Sequence, residues 1–384
     1  MKHSFSHLRL SFVVFSISLV VVLLAFISCN KTEYSTTTYG LKPTTTDPWL
    51  PSQAFSYPNG NNDLATLGRV LFYDKNLSAD NSVACGSCHQ QAHGFADNKS
   101  FSIGFGRSQT TRNAHSIMNT DNSRFWDGKI QTQASGGYEN QPQTITVPFQ
   151  SHAELNMPDM NALCTKLSDL PYYSYLFSKA FNGSTSITSN NIMTALGAFM
   201  DNILSNNTRF DQAFPSNGAQ PAITLSQQEL DGFTIFQQKC ATCHNLSNGF
   251  GGTMNQFEDI GLDAVYKDLG RGVVTNLSSD NGRFQVPSLK NVSLSAPYMH
   301  DGRFNTLNEV VDFFSDSIHS SPNLSSAFTS HPYFNQSSGS YSIVGTAVPF
   351  GFTATQKSDL VAFLLTLTDQ GQTADIRFSD PFKH

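Results

Sequence analysis

The chain has 384 residues, of which 39% are hydrophobic, 12% aromatic and 14% charged, so it can bury large cores and is too apolar to be disordered. A chain of this length corresponds to about two domains of ordinary size. The formal net charge is −6 with only 23 lysines and arginines, and no basic cluster interrupts the sequence. Without such a cluster to neutralise phosphates, DNA and RNA are poor candidate partners.

The chain begins with a pattern typical of an export signal. Two basic residues precede a nearly uncharged run over 10–27, and Phe26-Ile27-Ser28-Cys29 resembles the lipobox of bacterial lipoproteins. We therefore predict a signal peptide over 1–28, lipid attachment at Cys29 and a Thr-, Ser- and Pro-rich tether over 29–52. The alternative is a transmembrane anchor, because the run is just long enough to span a bilayer. The prediction places the protein in the periplasm or cell envelope, anchored to a membrane.

Four of the six cysteines fall into two identical frames, Cys85-Gly86-Ser87-Cys88-His89 and Cys240-Ala241-Thr242-Cys243-His244. In a C-x-x-C-H frame both thiols can add to the vinyl groups of one haem while the histidine ligates its iron. Zinc sites and thioredoxin-like pairs also use C-x-x-C. Zinc needs further ligands that accompany neither frame, and a disulfide leaves the repeated histidine unexplained. The sequence therefore predicts two covalently bound haem c groups, attached through Cys85, Cys88, Cys240 and Cys243 and ligated by His89 and His244.

The surroundings of the two frames repeat in the same order, which predicts an internal duplication. We expect two homologous haem domains, an N-terminal one over 53–215 and a C-terminal one over 222–384, with the boundary in the polar stretch between Pro215 and Pro221. The matching segments are Gly94-Phe95 and Gly249-Phe250, Ser116-Ile117-Met118-Asn119 and Ser288-Leu289-Lys290-Asn291, and Trp126-Asp127-Gly128-Lys129 and His300-Asp301-Gly302-Arg303.

Helical signals dominate the sequence and strand alternation is scarce, so we predict a mainly α fold of two cytochrome c-like haem domains in tandem. The Ser-, Asn- and Gly-rich stretch over 315–345 is predicted as an exposed loop. The helical signals are the apolar sets Ile192, Leu196, Phe199, Ile203 and Leu360, Phe363, Leu364, Leu367, and the capping boxes Ser226-x-x-Glu229 and Thr306-x-x-Glu309.

In the order of its motifs, the chain resembles the bacterial dihaem cytochrome c peroxidases and their relatives of the MauG type over about residues 55–370. The resemblance implies an enzyme that reduces hydrogen peroxide to water with electrons from a small cytochrome c or cupredoxin. Besides the two haem motifs, it rests on Gly94-Phe95-Ala96-Asp97, Arg112-Asn113-Ala114, Phe125-Trp126-Asp127-Gly128, Pro148 with Glu154, the segments 286–291 and 296–302, and the helix that starts at Thr306.

The resemblance also implies roles for individual residues. The N-terminal haem, with His89, would be the site where peroxide reacts, and the C-terminal haem, with His244, would receive the electrons. Glu154 matches the family's distal acid–base glutamate, although the usual neighbouring methionine is Leu155 here. Trp126 matches the tryptophan that lies between the two haems.

A calcium ion at the domain junction is a further implication of the resemblance. Its ligands would be Asn113 and the backbone carbonyls of Ser295 and Pro297, and oxygen ligands suit a hard cation. Whether two copies pair as a homodimer, as family members often do, is left open by the sequence.

Two positions depart from the family's pattern. Peroxidases that need reductive activation carry a histidine in Ser-Ile-Gly-His-Gly, where this chain has Phe105. Because phenylalanine cannot ligate iron, we expect a first haem that is five-coordinate or water-bound without prior reduction. The usual distal ligand of the second haem, methionine or tyrosine, is replaced by Phe314. The second iron is then five-coordinate, or Met299, His319 or His331 takes the position.

Two competing functions stay open. A MauG-like oxidase, which modifies a tryptophan on a partner protein, is favoured by Phe105 and disfavoured by the missing tyrosine at Phe314. A non-catalytic dihaem electron carrier is disfavoured by Glu154 and by an open iron. The sequence assigns His115 and His152 only to ordinary hydrogen bonding at the surface or in the core.

Overall fold

The computed structural model describes residues 47–51, 55–119, 125–130, 142–216, 218–246, 256–329, 333–335, 340–342 and 346–383. All of them belong to one unit, Pro43–His384. The predicted signal peptide, Cys29, most of the tether, Gly249-Phe250 and His331 lie outside the described residues. No helix in the described ranges combines the length and the hydropathy that a bilayer span requires.

Helices carry nearly all of the regular structure, as the sequence predicts. In the first half they are α1 (Asn62–Tyr73), α2 (Cys85–Cys88), α3 (Pro142–Gln150), α4 (Met160–Ser168), α5 (Pro171–Ala180), α6 (Ser189–Met200) and α7 (Arg209–Ala213). In the second half they are α8 (Gln227–Lys239), α9 (Gly272–Thr275), α10 (Leu307–Asp316) and α11 (Ala354–Leu365).

Strands and 3₁₀ turns are short and lie between the helices. In the described ranges, β1 (Phe257–Glu258) pairs with β2 (Phe284–Gln285), and β3 (Tyr333–Asn335) pairs with β4 (Ser340–Ser342), both antiparallel. Their registers place Phe257 opposite Gln285 and Phe334 opposite Tyr341. The 3₁₀ turns span Lys75–Leu77, Gln91–His93, Phe105–Arg107, Ser278–Asp280, Val292–Leu294, Ser326–Phe328, Gln372–Ala374 and Ile376–Phe378.

The first half is held together where α1 crosses α6. Gly68 of α1 lies at the crossing, and a Cβ placed there would come within 1.9 Å of the carbonyl oxygen of Ala195. The missing side chain therefore lets the two helix backbones approach closely. One turn later, Phe72 packs against Phe199 with ring centroids 5.2 Å apart.

The second half repeats this crossing with α8 and α11. A Cβ at Gly232 would lie 1.9 Å from the carbonyl oxygen of Asp359. Phe236, again four residues after the glycine, packs against Phe363 with ring centroids 5.0 Å apart. The repeated glycine–phenylalanine geometry supports the predicted tandem of two related helical domains.

The predicted helical faces are buried. On α6, the side chains of Ile192, Leu196 and Phe199 are fully buried, and on α11 so is that of Phe363. Ile203 is also fully buried but follows the end of its helix. Both predicted capping boxes form: Ser226 and Glu229 open α8, and Thr306 and Glu309 open α10.

The end of the chain returns to the first half. Arg69 on α1 is 1% exposed, and its Nε donates to the carbonyl of Ser379 (2.7 Å). The hydroxyl of Tyr73 donates to the carbonyl of Phe378 (2.6 Å), and the backbone N–H of Trp49 donates to Pro381 (2.7 Å). The last residues of the predicted second domain, and the end of the predicted tether, therefore pack with the first half.

The polar stretch over 315–345 differs from the predicted exposed loop. Among its described residues, Ile318, Leu324 and Phe328 are buried in a small core cluster with Leu262 and Phe313. The prediction agrees with the exposed residues of the stretch, such as His319, and was wrong for these three. Single apolar residues spaced among polar ones carry no periodic signal, although tertiary packing still buries them.

Candidate functional site

The first C-x-x-C-H frame forms one helical turn that ends at its histidine. Cys85 begins α2, and the backbone N–H of His89 donates to the carbonyl of Cys85 (2.9 Å). The ring Nδ1 of His89 lies 3.0 Å from the carbonyl of Phe95, and a carbonyl only accepts. Nδ1 therefore carries the proton, and Nε2 keeps a lone pair for a metal. Burial lowers the pKa of His89 to about 4, which keeps the ring neutral at pH 7.

The second frame reproduces this arrangement. The backbone N–H of His244 donates to Cys240 (2.8 Å), and its ring Nδ1 lies 3.1 Å from the carbonyl of Pro287. Burial lowers the pKa of His244 to about 4. Both histidines are thus neutral and oriented by a backbone carbonyl, which is the usual support of a metal-ligating imidazole.

The thiols of the two frames are not poised as zinc ligands or redox nucleophiles. Burial raises the pKa of Cys85 to about 12, that of Cys88 to about 11 and that of Cys240 to about 12. None of the five cysteines in the described ranges is in a disulfide. In the same ranges, no three His, Cys, Asp or Glu side chains come together as a metal site. A thiol with a raised pKa is a poor redox nucleophile, which disfavours the thioredoxin-like alternative.

A cavity of about 500 Å³ opens beside the second frame. This volume lies within the range of roughly 300–1,000 Å³ that is common for cofactor and ligand sites. Its wall is largely apolar and includes both cysteines of the frame, so the residues present fit a large apolar macrocycle. Among the lining residues are Cys240, Cys243, His244, Leu289, Tyr298, Phe352, Leu360 and Leu364.

Of the candidate ligands for the second haem, the structure brings one into this cavity. Met299 lines it together with Phe314, at the position where the family's ligand is missing. His319 is exposed and is not part of the cavity wall. His331 lies outside the described residues.

Trp126 lies in the wall of the same cavity, in a network of hydrogen bonds. Its indole Nε1 donates to the carbonyl of Asn113 (2.9 Å), and the backbone N–H of Asn113 donates to His300 (2.7 Å). The carbonyl of Trp126 accepts from Gln285 (2.8 Å). His115, which the sequence left without a role, packs edge-on against the Trp126 ring at 5.7 Å and also lines the cavity.

Glu154 lies close to the first frame, and its backbone is tied to the segment that contains Phe105. The N–H of Phe105 donates to the carbonyl of Glu154 (2.8 Å), and the Phe105 ring packs against His152 at 5.5 Å. Burial raises the pKa of Cys85 and Cys88, and the negative charge of Glu154 adds a smaller contribution at both thiols, so its carboxylate lies within electrostatic range of the first frame.

Burial raises the pKa of Glu154, whereas the charge of Lys129 and a hydrogen bond from Ser151 oppose that shift. The sequence did not single out Lys129, although it directly follows Trp126-Asp127-Gly128. No local pattern could have found it, because its proximity to Glu154 arises from tertiary folding.

The predicted calcium ligands also line this cavity. The Nδ2 of Asn113 donates to the carbonyl of Lys99 (3.0 Å), which leaves Oδ1 for another partner. The other two oxygens are the backbone carbonyls of Ser295 and Pro297. None of the three accepts a hydrogen bond within the described part of the chain. Neutral oxygens that line a cavity are the kind of ligand that suits a hard cation.

Comparisons with known proteins agree with the resemblance. A family model described as di-haem cytochrome c peroxidase matches residues 62–219. The cytochrome c551 peroxidase of Nitrosomonas europaea is 32% identical over 277 residues, which cover 69% of this chain and 76% of that protein. The methylamine utilization protein MauG of Methylorubrum extorquens is 29% identical over 307 residues, which cover 78% of this chain and 77% of that protein.

Solved structures show the same fold. A MauG-like protein associated with microbial copper homeostasis superposes with a TM-score of 0.68 at 29% identity, over 90% of this chain and 99% of that one. The dihaem peroxidase BthA of Burkholderia thailandensis has a TM-score of 0.60 at 20% identity, over 86% of this chain and 90% of that one. The chain belongs to the dihaem cytochrome c peroxidase family, which includes MauG, and is an oxidoreductase of the peroxidase type with two c-type haems.

Proposed function

We propose that the protein reduces hydrogen peroxide to water with two electrons from a small cytochrome c or cupredoxin. Electrons enter at the C-terminal haem, held by Cys240, Cys243 and His244, and peroxide reacts at the N-terminal haem, held by Cys85, Cys88 and His89. The observation that carries this proposal is the half-buried carboxyl of Glu154 beside the first frame, at a site where Phe105 replaces the blocking histidine.

The reaction consumes one peroxide, two electrons and two protons and yields two waters. The haem at the first frame supplies the iron at which the O–O bond breaks. Glu154 takes the proton from the near peroxide oxygen and returns it to the far one, which leaves as water. Its raised pKa suits both steps, because a group that titrates closer to neutrality can accept a proton and then give it up.

Trp126 is proposed to lie on the electron path between the two sites. Its indole N–H is tied to Asn113, which is in turn tied to His300 in the second half. These bonds fix the ring at the wall of the second cavity. Trp126 also serves as a packed aromatic side chain in this wall, and one residue can do both.

The function is tested by mixing the haem-loaded protein with peroxide and a reduced small cytochrome c. Two cytochromes oxidised for each peroxide consumed would support the proposal. Oxidation of a protein tryptophan in place of the cytochrome would instead indicate a MauG-like oxidase. No peroxide consumption would indicate an electron carrier.

The MauG-like oxidase is kept as a second candidate because of one observation. The chain aligns with almost the whole length of a MauG-like solved structure at 29% identity. An open first iron, which we expect because of Phe105, suits a MauG-like oxidase as well as a peroxidase. In this reading the same two haems oxidise a partner protein rather than a soluble electron donor.

Export, lipid attachment at Cys29 and a periplasmic location belong to this proposal too. They rest on the N-terminal sequence pattern, which lies outside the described residues.

Replacement of Phe105 by histidine is expected to supply a ligand for the open coordination position of the first haem iron. The wild type should show a high-spin ferric signal as isolated, whereas Phe105→His should be low-spin and unreactive towards peroxide until it is reduced. Spin-resonance and absorption spectra of the resting proteins check this, with Phe105→Leu as the control that stays high-spin. A wild type that is low-spin at both haems would contradict the expectation.

We further propose that one calcium ion binds Asn113 Oδ1 and the carbonyls of Ser295 and Pro297. Asn113→Ala should weaken calcium binding by about tenfold or more, since it removes the only side-chain ligand of the three. Calorimetric titration of chelator-treated protein measures this. Asn98→Ala, an exposed change on the same segment, serves as the control. Equal affinity in both variants would rule out this site.

Removal of the Lys129 charge should move the pH dependence of peroxide turnover. The positive charge lowers the pKa of Glu154, so Lys129→Met raises it further. As the pH falls, the variant's carboxylate is therefore protonated at a higher pH than that of the wild type. The acid limb of the rate profile shifts to higher pH. Steady-state rates as a function of pH check this, with the exposed Lys179→Met as the control. A downward shift or no shift would contradict the assigned interaction.

A further inference from the structure

Exposed apolar side chains are concentrated in one short segment. Within the described residues, nine large hydrophobic side chains are exposed, and five of them lie between positions 265 and 277. Val265 exposes 80% of its surface and Val273 60%. An exposed apolar cluster of this kind marks an interaction site more often than chance. We call these five residues the 265–277 patch: Val265, Leu269, Val273, Val274 and Leu277.

The segment that carries the patch contributes two side chains, Tyr266 and Asp268, to the wall of the second cavity. Asp268, between two patch residues, lines the cavity and binds Arg112 through two hydrogen bonds of 2.7 and 2.8 Å. The guanidinium of Arg271 stacks on the Phe257 ring at 4.0 Å. A Cβ on Gly128, two residues after the cavity-lining Trp126, would touch both Phe257 and Arg271. A protein docked on the patch would therefore contact a segment that forms part of the cavity wall.

Several charged groups of this region are paired within the chain. Lys267 lies 3.5 Å from Asp263, which also binds Arg303 at 2.9 Å. Arg271 lies 3.9 Å from Asp280, and Asp268 is held by Arg112. Because these charges are paired within the chain and the five patch side chains are uncharged, the patch presents an apolar face. Its complement is an uncharged apolar face on the partner rather than a basic or acidic one.

We propose that the 265–277 patch is the docking surface for a small redox protein that presents an uncharged apolar rim around its exposed cofactor edge. The inference rests on the proposed function, because it identifies where the electron donor binds. Neutral complementarity makes the association depend little on ionic strength, unlike an association steered by opposite charges. Because Tyr266 and Asp268 of the same segment line the cavity beside the second frame, a donor on this surface would bind next to the site that would hold the second haem.

The test uses the haem-loaded full chain and two separate variants, Val265→Asp and Val273→Asp. Each variant places one negative charge in the patch. Matched controls are Leu365→Asp and Ile376→Asp, which alter apolar residues of similar exposure (51% and 46%) outside the patch. Equilibrium binding of a small cytochrome c and of a blue copper protein is measured for every variant. Turnover is measured with both proteins and with a small-molecule reductant. Absorption spectra and melting temperatures confirm that all variants are folded and loaded.

The proposal predicts that patch variants weaken binding of the preferred protein donor by about tenfold or more and raise its KM to match. The rate with the small-molecule reductant and both control variants should be unchanged, and salt should alter wild-type binding little. Unchanged binding in the patch variants overturns the proposal, as does binding of neither protein by the wild type. A shift from dimer to monomer in the patch variants would assign the patch to a second copy of this chain and also overturns it. If the patch variants weaken donor binding as predicted but the wild type turns over no peroxide, the proposed function is refuted and the docking surface is supported.

Discussion

Glu154→Gln is expected to lower peroxide turnover by about 10²–10⁴-fold, the usual contribution of a positioned acid–base group. Glutamine has nearly the same shape but cannot take the proton from one peroxide oxygen and return it to the other. The buried setting that raises the pKa of Glu154 makes the wild-type carboxyl suited to both steps. Steady-state peroxide consumption with a reduced small cytochrome measures the loss.

Two comparisons make this result specific. Asp169→Asn removes a carboxylate from the surface and should turn over peroxide like the wild type. Both variants should retain two haems and unchanged resting spectra, because Glu154 is not proposed to ligate iron. If Glu154→Gln works at the wild-type rate, the acid–base role belongs to another group.

Gly232→Ala is expected to destabilise the second half by about 1–3 kcal/mol, the usual cost of overpacking a core. The added Cβ would lie 1.9 Å from the backbone carbonyl of Asp359, which cannot rotate away, so α8 and α11 must separate. The gain of about 1 kcal/mol in helix propensity from glycine to alanine only partly offsets this cost. Gly68→Ala should act in the same way on α1 and α6, where the added Cβ would clash with the carbonyl oxygen of Ala195.

Chemical denaturation followed by circular dichroism measures the change in the free energy of unfolding. Gln237→Ala, an exposed substitution on α8, gains helix propensity without a clash and should leave stability unchanged or slightly higher. Because Phe236 and Leu364 line the second cavity, separation of the helices should also alter the absorption spectrum of the second haem. Equal stability of Gly232→Ala and the control would show that the crossing tolerates a methyl group.

The parts of the account that depend on short-range chemistry could be predicted from the sequence. The C-x-x-C-H frames need only residues that are neighbours along the chain, and the capping boxes at Ser226 and Thr306 form within a single turn. The helical faces of α6 and α11 follow from apolar periodicity. The mainly helical tandem fold is confirmed on these grounds.

Contacts between distant segments could not be predicted in the same way. The carbonyl that orients His244 comes from Pro287, and the charge that lowers the pKa of Glu154 comes from Lys129. Neither pairing leaves a local pattern, since each depends on how loops cross in three dimensions. The burial of Leu324 and Phe328 within a polar stretch went unpredicted for the same reason.

A repeated glycine–phenylalanine spacing in the sequence also marks the duplication. A glycine followed four residues later by phenylalanine occurs at Gly68 and Phe72 and again at Gly232 and Phe236. The structure shows that each pair lies where the first helix of its half crosses a later one, α1 with α6 and α8 with α11. The duplication is therefore visible in the helix packing as well as in the haem frames.

The central claim is that both cysteine frames carry a porphyrin through thioether bonds. Mass spectrometry of the intact protein, produced in a host that matures c-type cytochromes, tests it directly. The account predicts a mass increase of two haems, one lost in a Cys85→Ala/Cys88→Ala variant and the other in Cys240→Ala/Cys243→Ala. A protein of unmodified mass would contradict the account.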